Sequence, residues 1–223
     1  MSLILSIETS TKVCSVALHR EQTLLASSEI LIEKSHSKFI TVLIENLFSH
    51  SGEEMKSLDA VAVSKGPGSY TGLRIGVSTA KGICYALEKP LIAIDTLKSM
   101  AFEANRFNIQ KALLCPMIDA RRMEVYCALY DSDLNCKEEV NAKIIDESSF
   151  KETLSEQPVL FFGDGSQKCA AVIKNKNAFF IENVYPSAIN IGTLALKAFE
   201  ETQFEDLAYF EPFYLKDFVR FGA

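Results

Sequence analysis

The stretch SKGPGSYTGLRIGVSTAKG, residues 64–82, decides how the rest of the chain is interpreted. It follows the short apolar run DAVAV (59–63) and leads into the apolar run ICYAL (83–87). This order predicts a buried strand, a glycine-rich turn and a helix. Such a turn has two uses: its backbone amides can hold a phosphate, or its missing side chains can let the helix pack at short range.

The known phosphate-binding motifs do not match this stretch. A Walker A loop requires GxxxxGK[ST] and the dinucleotide fingerprint requires GxGxxG, whereas Gly66, Gly68 and Gly72 spell GxGxxxG. Only the general affinity of a helix N-terminus for anions remains. The packing interpretation has more support, because Gly72, Gly76 and Ala80 recur every four residues and leave one side of the helix nearly bare.

The preceding segment HSKFITVLIENLFSH (36–50) predicts a second helix with an unusually wide apolar face. Its large apolar residues cover about half of the helix circumference, and they are Phe39, Ile40, Leu43, Ile44, Leu47 and Phe48. Two interpretations stay open. The helix is either deeply buried in the core, or it has one side on a sheet and the other against a second protein.

Composition and charge exclude several classes of protein. With 48% hydrophobic and 23% charged residues the chain has the composition of a soluble globular protein, and its net charge of −6 argues against binding nucleic acid alone through phosphate neutralisation. No apolar run approaches the ~18 residues that span a bilayer. The start, MSLILSIETS, lacks the basic region of a signal peptide, so we expect a cytoplasmic protein with no membrane contact.

Neither the cysteines nor the histidines have the spacing of a metal site. The six cysteines include no CxxC pair, and the three histidines form no HxxxH or HExxH pair. Most of the cysteines lie in apolar stretches, which is typical of buried free thiols in a reducing compartment. We expect no metal site built by this chain alone.

The order of predicted elements indicates an α/β fold in two halves. Three short strands, a helix, a strand, the helix after the quoted loop, a strand and a further helix fill residues 1–105. The rest, 106–223, begins with two paired strands and continues with a buried strand, a turn, a short helix, another strand and a long final helix. We interpret 106–223 as a smaller copy of 1–105, with the C-terminal helix region completing the first half.

One further turn could present polar groups to a ligand. Glu8, Thr9 and Ser10 end the first strand and open a tight hairpin, which could hold a nucleotide phosphate or its metal ion but needs no function as a hairpin. No serine, cysteine or histidine is placed by the sequence for nucleophilic catalysis. We therefore predict no catalytic residue.

Six motifs together resemble the TsaB (YeaZ) family over essentially the whole chain. They are ILSIETS (4–10), SKGPGSYTGLRIGVSTAKGI (64–83), PLIAIDTLKSMA (90–101), MIDARRMEVYCALY (117–130), GDGS (163–166) and PFYLKD (212–217). The resemblance implies an actin-like, Hsp70-like ATPase (ribonuclease H-like) fold with two related halves, the second reduced. The last motif has Lys216 where the family more often has arginine, which replaces a planar bidentate donor with a point charge.

The family implies a role in modifying tRNA without independent catalysis. Its members are partners of TsaD, which carries the catalytic metal and forms N6-threonylcarbamoyladenosine on tRNAs reading codons that begin with A; the ATPase TsaE joins the complex. TsaD-like chains carry two metal-binding histidines after the strand that corresponds to PLIAI. This sequence has Asp95-Thr96-Leu97-Lys98-Ser99-Met100 there, with no imidazole ligand.

The resemblance also implies where a partner binds. In the family the two helices described above pack on their counterparts in TsaD, or on a second TsaB when TsaD is absent, so a homodimer is expected in isolation and tRNA is reached through the complex only. The candidate contact residues are Phe39, Leu43, Leu47, Gly72, Gly76 and Ala80.

Two enzymatic alternatives stay open. An independent ATP-hydrolysing enzyme of the same fold would hold phosphates with Glu8, Thr9, Ser10, Gly66 and Gly68. The same residues could instead be a degenerate site with weak ATP or ADP binding and no intrinsic cofactor. A metallopeptidase is the other alternative, and it would carry bound zinc or iron.

Overall fold

The computed structural model describes residues 2–32 and 36–216, and its first half is a five-stranded sheet in the order β3-β2-β1-β4-β5. β1, β2 and β3 are antiparallel neighbours, whereas β1, β4 and β5 run parallel. The strands are β1 Leu3–Glu8, β2 Cys14–Arg20, β3 Thr23–Ile30, β4 Ala60–Gly66 and β5 Leu91–Asp95. The helices are α1 His36–Ser51, α2 Tyr70–Leu87 and α3 Thr96–Asn105.

The second half repeats this topology, with two much shorter helices. Its sheet has the order β10-β9-β6-β7-β8, with an antiparallel β6-β7-β8 meander and parallel β6, β9 and β10. The strands are β6 Leu113–Asp119, β7 Glu124–Tyr130, β8 Cys136–Ile144, β9 Val159–Phe162 and β10 Ala178–Ile181. The helices are α4 Lys151–Glu156, α5 Ser166–Ala170 and α6 Ala188–Glu200.

Helix length distinguishes the two halves. α1 and α2 have 16 and 18 residues. In the second half, the corresponding positions in the topology are taken by α4 and α5, which have 6 and 5 residues. The predicted α/β class with two related halves, the second reduced, is confirmed by this repeat.

Each sheet is covered on both faces. α1 and α2 lie on one face of the first sheet, and α6 lies on the other with Ile191 and Ala195 against Ile4 and Ile92. α3 packs on the second sheet, where Leu97 and Met100 join its core. The division into 1–105 and 106–223 stays a prediction, since α6 returns to the first sheet and α3 covers the second.

Two elements of the second half were missed by the sequence analysis. β8 has the polar sequence CKEEVNAKI and lies at the edge of its sheet, half exposed, so it lacks the apolar pattern on which strand prediction rests. α4 buries only Leu154, which leaves no helical periodicity to detect.

The cysteines have the state expected from the sequence, with one exception. All six are free thiols, and five are buried, but Cys136 is exposed on β8.

Within residues 2–32 and 36–216, no helix is long and apolar enough to cross a membrane.

The strand register positions the candidate site. β1 pairs with β4 through Ile7 and Val63, and β4 pairs with β5 through Ser64 and Ile94. The carboxyl ends of these three parallel strands therefore meet at one edge of the sheet, where loops of α/β proteins commonly carry function. Glu8 ends β1 and the quoted glycine-rich loop begins at the end of β4.

Candidate functional site

The glycine-rich loop lies directly against the turn that follows β1. The backbone N–H of Ser69 donates to the carbonyl oxygen of Ser10 at 2.6 Å, and the Thr9 hydroxyl donates to the Gly72 carbonyl oxygen at 2.8 Å. Ser69 is also the N-cap of α2, where its Oγ accepts from the Gly72 N–H at 3.3 Å. The start of α2 is thus attached to the 8–10 turn by hydrogen bonds rather than by side-chain packing.

Three glycines make this contact sterically feasible. A Cβ added at Gly68 would lie 2.3 Å from the Ser10 carbonyl oxygen, and one at Gly72 would lie 2.1 Å from the Thr9 carbonyl oxygen. At Gly76 it would lie 2.2 Å from the Thr9 hydroxyl oxygen. The bare side of α2 therefore faces this chain's own turn, so the packing interpretation of the loop is confirmed with an internal neighbour.

Glu8, Thr9 and Ser10 are enclosed by this arrangement. All three are fully buried, and the Ser10 N–H donates to one Glu8 carboxyl oxygen at 2.5 Å. Among the described residues, the other Glu8 oxygen and the hydroxyls of Ser10 and Ser64 have no hydrogen-bond partner. Burial raises the pKa of Glu8, and the nearby hydroxyls and the Ser10 and Thr9 amides oppose that rise only in part.

Carbonyl oxygens face two glycines of this site. A phosphate needs hydrogen-bond donors beside the glycine loop, but carbonyl oxygens face it instead. The Ser10 oxygen lies against Gly68, and the Phe213 oxygen would lie 2.5 Å from a Cβ at Gly66, which has φ +119°. Nucleotide binding at Glu8, Thr9, Ser10, Gly66 and Gly68 stays a prediction, and we derive no catalytic step through it.

The segment after β5 begins a helix. The Asp95 side chain accepts from the Lys98 N–H at 2.9 Å and so caps α3. Desolvation raises the pKa of Asp95. Across residues 2–32 and 36–216 no group of three or more His, Cys, Asp or Glu side chains could hold a metal ion.

The six predicted contact residues face mainly inward. Leu43, Leu47 and Ala80 are buried in the core of the first half, Gly72 and Gly76 contact the 8–10 turn, and only Phe39 is partly exposed. As partner contacts they stay a prediction. Within the chain they bring α1 and α2 onto the sheet.

A different set of residues on the same two helices is exposed. On α1 the exposed residues include Thr41, Val42 and Glu45, and on α2 they include Thr71, Ser78, Gly82 and Tyr85. Val42 is 45% exposed and Tyr85 81%. We call this surface the α1–α2 face. Sequence reasoning missed its α2 part because it assigned the bare side of that helix to a partner.

Within residues 2–32 and 36–216, no contact explains the glycine at position 82. Nothing lies within 4 Å of a Cβ built there, although glycine in a helix interior costs about 1 kcal/mol relative to alanine. It lies on the exposed part of α2, between Ser78 and Tyr85. A glycine in this setting would permit close approach by a helix from outside the chain.

The sequence matches a family model and several curated relatives. The model for TsaD, tRNA N6-adenosine threonylcarbamoyltransferase, matches residues 29–219. The "tRNA threonylcarbamoyladenosine biosynthesis protein TsaB" of Bacillus subtilis is 36% identical over 72% of this chain and 70% of its own length. The TsaB of Escherichia coli is 40% identical over 59% of this chain and 56% of its own length.

Solved structures agree on the architecture. YeaZ from Pseudomonas aeruginosa superposes with a TM-score of 0.84 at 25% identity, covering 96% of this chain and 100% of that one. The activator of 2-hydroxyisocaproyl-CoA dehydratase from Clostridium difficile, solved with ADPNP, has a TM-score of 0.54 at 11% identity, covering 90% and 97%. That likeness shows the fold alone, and it is the actin-like ATPase fold expected from the resemblance.

Alanine at Gly72 and at Gly82 should have opposite effects on stability. Gly72→Ala forces a methyl group against the Thr9 carbonyl oxygen and should lower the free energy of unfolding by about 1–3 kcal/mol. Gly82→Ala, on the same helix with open space around it, should raise it by about 1 kcal/mol. Urea denaturation measures both, and equal effects would contradict the close contact at the turn.

Replacing Glu8 should change how stability depends on pH. Because its pKa is raised above the ordinary 4.5, the folded state keeps this proton to higher pH than the unfolded state. The free energy of unfolding should therefore fall as pH rises from about 4.5 through the raised pKa. Glu8→Gln cannot ionise, so its stability relative to the wild type should increase across this interval.

Urea denaturation at several pH values between 4.5 and 8 tests this change. Glu45→Gln, on the exposed side of α1, is the matched control for loss of one carboxylate. A Glu8→Gln variant that loses stability relative to the wild type with rising pH would show that the buried group is held as a carboxylate.

Proposed function

The chain belongs to the TsaB family of tRNA threonylcarbamoyladenosine biosynthesis proteins, and from this premise we propose that it is a non-catalytic subunit that binds and activates TsaD. It takes part in forming N6-threonylcarbamoyladenosine on tRNAs that read codons beginning with A. TsaD performs the transfer of the threonylcarbamoyl group. This chain supplies a docking surface that holds TsaD in its active form.

The observation that carries the proposal is the α1–α2 face. It combines an exposed valine and tyrosine with small residues, among them a helical glycine that no contact inside the chain requires. Small residues let two helix backbones approach closely, and a large aromatic beside them supplies apolar area. The commitment to TsaD rests on the family and on the shared sequence model, because a partner of the same fold presents a matching pair of helices.

The same face accounts for the expected homodimer. When TsaD is absent, two copies can pair through α1 and α2. Such a contact is isologous, because each copy uses the same α1–α2 face. A second copy and TsaD would compete for one surface. The heterodimer and the homodimer are therefore mutually exclusive states of this chain.

The chemistry of the interior supports a scaffold more than an enzyme. Glu8, the one acid at the ends of β1 and β4, is enclosed with a raised pKa, and α2 lies over it on the turn. A fully buried carboxyl is not exposed to a substrate in this structure. tRNA is then reached through the complex only, which agrees with the net charge of −6, and TsaE joins through the assembled pair.

A bulky charge on the α1–α2 face should disrupt the heterodimer without unfolding the chain. Ser78→Arg places a guanidinium at the centre of the exposed part of α2, and it should weaken TsaD binding at least tenfold, or ~1.4 kcal/mol. Modification of tRNA in a reaction reconstituted with TsaD and TsaE should fall in parallel. Isothermal titration calorimetry and nucleoside analysis of the tRNA measure the two effects.

Ser155→Arg is the matched control, since Ser155 is an exposed serine on α4 of the second half. It should leave affinity and modification unchanged. If Ser78→Arg binds TsaD normally, the docking surface is elsewhere. If the wild type does not bind TsaD at all, the proposed function itself is wrong.

A further inference from the structure

The segment after α6 returns across the edge of the first sheet to α2. The backbone N–H of Glu205 donates to the Leu91 carbonyl oxygen at 2.9 Å, which covers the edge of β5. Leu207 and Phe210 then pack against the core of the first half. The Lys81 ammonium donates to the carbonyl oxygens of Ala208 and Phe210 at 3.2 and 3.1 Å. This part of the segment is anchored by apolar burial.

Several contacts that the structure describes for the next residues, 212–216, are exposed to solvent. The Phe213 N–H donates to the Lys65 carbonyl oxygen at 2.7 Å, but Phe213 is 41% exposed. The Tyr214 ring lies 4.8 Å from the Tyr70 ring, and its hydroxyl accepts from Arg74 Nε at 3.2 Å. Individually such contacts are weak when they face solvent.

The same short stretch joins the two halves. The Lys216 ammonium pairs with the carboxylate of Glu124, which opens β7 in the second half. Residues 212–216 thus contact the end of β4 and the start of α2 in the first half, and β7 in the second. The pair is partly exposed, with 45% of the Lys216 side chain accessible, so it is screened by salt.

We propose that residues 212–216 form a detachable latch between the halves, and that its opening makes a flank of α2 available to the partner. The anchored part, 205–210, stays in place when the latch opens, because Leu207 and Phe210 pack against the core of the first half. Opening breaks the contacts that Tyr214 makes with Tyr70, which is partly buried, and with Arg74, which is already exposed in the closed state. Aromatic and arginine side chains are the residue types that contribute most to interfaces.

This regulation rests on the proposed function, because the flank with Tyr70 and Arg74 lies beside the α1–α2 face. Tyr70 and Arg74 precede and follow the exposed Thr71 on α2. A partner seated on Thr71 and Ser78 could replace the contacts of Tyr214 with Tyr70 and Arg74 only in the open state. TsaD therefore binds the open state more tightly. Its apparent Kd is the Kd for the open state divided by the fraction of chains that are open, so closing the latch weakens binding.

Hydrogen exchange on the isolated protein tests the latch itself. Lys216→Glu replaces the attraction to Glu124 with repulsion and should speed amide exchange in 212–216 by about two- to fivefold, the size expected for a surface ion pair. The double variant Lys216→Glu/Glu124→Lys should restore the wild-type rate. Exchange in 205–210 should not change.

A tyrosine pair provides an independent test. Tyr214→Ala removes the contacts with Tyr70 and Arg74 and should speed exchange in the latch by about three- to tenfold. Tyr209→Ala is the matched control, since that ring belongs to the same segment and is 84% exposed. Unchanged exchange in Tyr214→Ala, or faster exchange throughout the protein, would overturn the latch.

Calorimetric titration with TsaD tests the regulation. Apparent Kd varies inversely with the competent fraction, so each variant should lower Kd by the same factor by which it speeds exchange in the latch. Faster exchange with an unchanged or higher Kd would overturn the regulation while leaving the latch in place. Absence of TsaD binding in the wild type would instead refute the proposed function, and the exchange data would still judge the latch.

Discussion

The backbone contact between the start of α2 and the turn after β1 is the constraint on which the rest of this structure depends. Carbonyl oxygens of Thr9 and Ser10 occupy the space that side chains at Gly72 and Gly68 would need. Because hydrogen bonds from Ser69 and Thr9 join the two segments, the position of α2 is fixed relative to the sheet. The exposed surface of α2 and the enclosure of Glu8 both follow from that position.

This constraint limits the chemistry that the fold can support in this chain. Strand ends of an actin-like sheet form a natural place for a ligand, and the chain has an acid and two serine hydroxyls there. The close approach of α2 encloses those groups and leaves carbonyl oxygens beside the glycines. What remains accessible is the outer side of the helices, which suits recognition of another protein.

α2 has three distinct sides in this structure. One contacts the core and the turn, the second carries the C-terminal segment, and the third is exposed. Arg74 and Lys81, seven residues apart, lie on the second side, where they donate to Tyr214 and to carbonyl oxygens of the tail. Their spacing is therefore explained by an intramolecular neighbour. Residues 212–216 of the C-terminal segment contact both α2 and Glu124 of the second half. A change in these contacts would therefore affect both the surface of α2 and the contact between the halves.

The sequence by itself determined the α/β class, the repeat of two halves and the family, because apolar runs, glycines and motif order are local properties of the chain. It also predicted that the glycines of α2 serve close packing, since the missing side chains are visible in the sequence. It did not predict β8, whose polar residues lie at a sheet edge where burial imposes no pattern.

Only the tertiary structure decided what the close packing is against. A bare helix side fits a neighbour in the same chain as well as one in another, and the strand register that brings Thr9 beneath Gly72 and Gly76 joins residues more than sixty positions apart. The same holds for Tyr214 and Lys216, whose contacts depend on the path of the C-terminal segment across the two halves. Contacts of this kind depend on the three-dimensional arrangement of distant segments, which local sequence patterns do not encode.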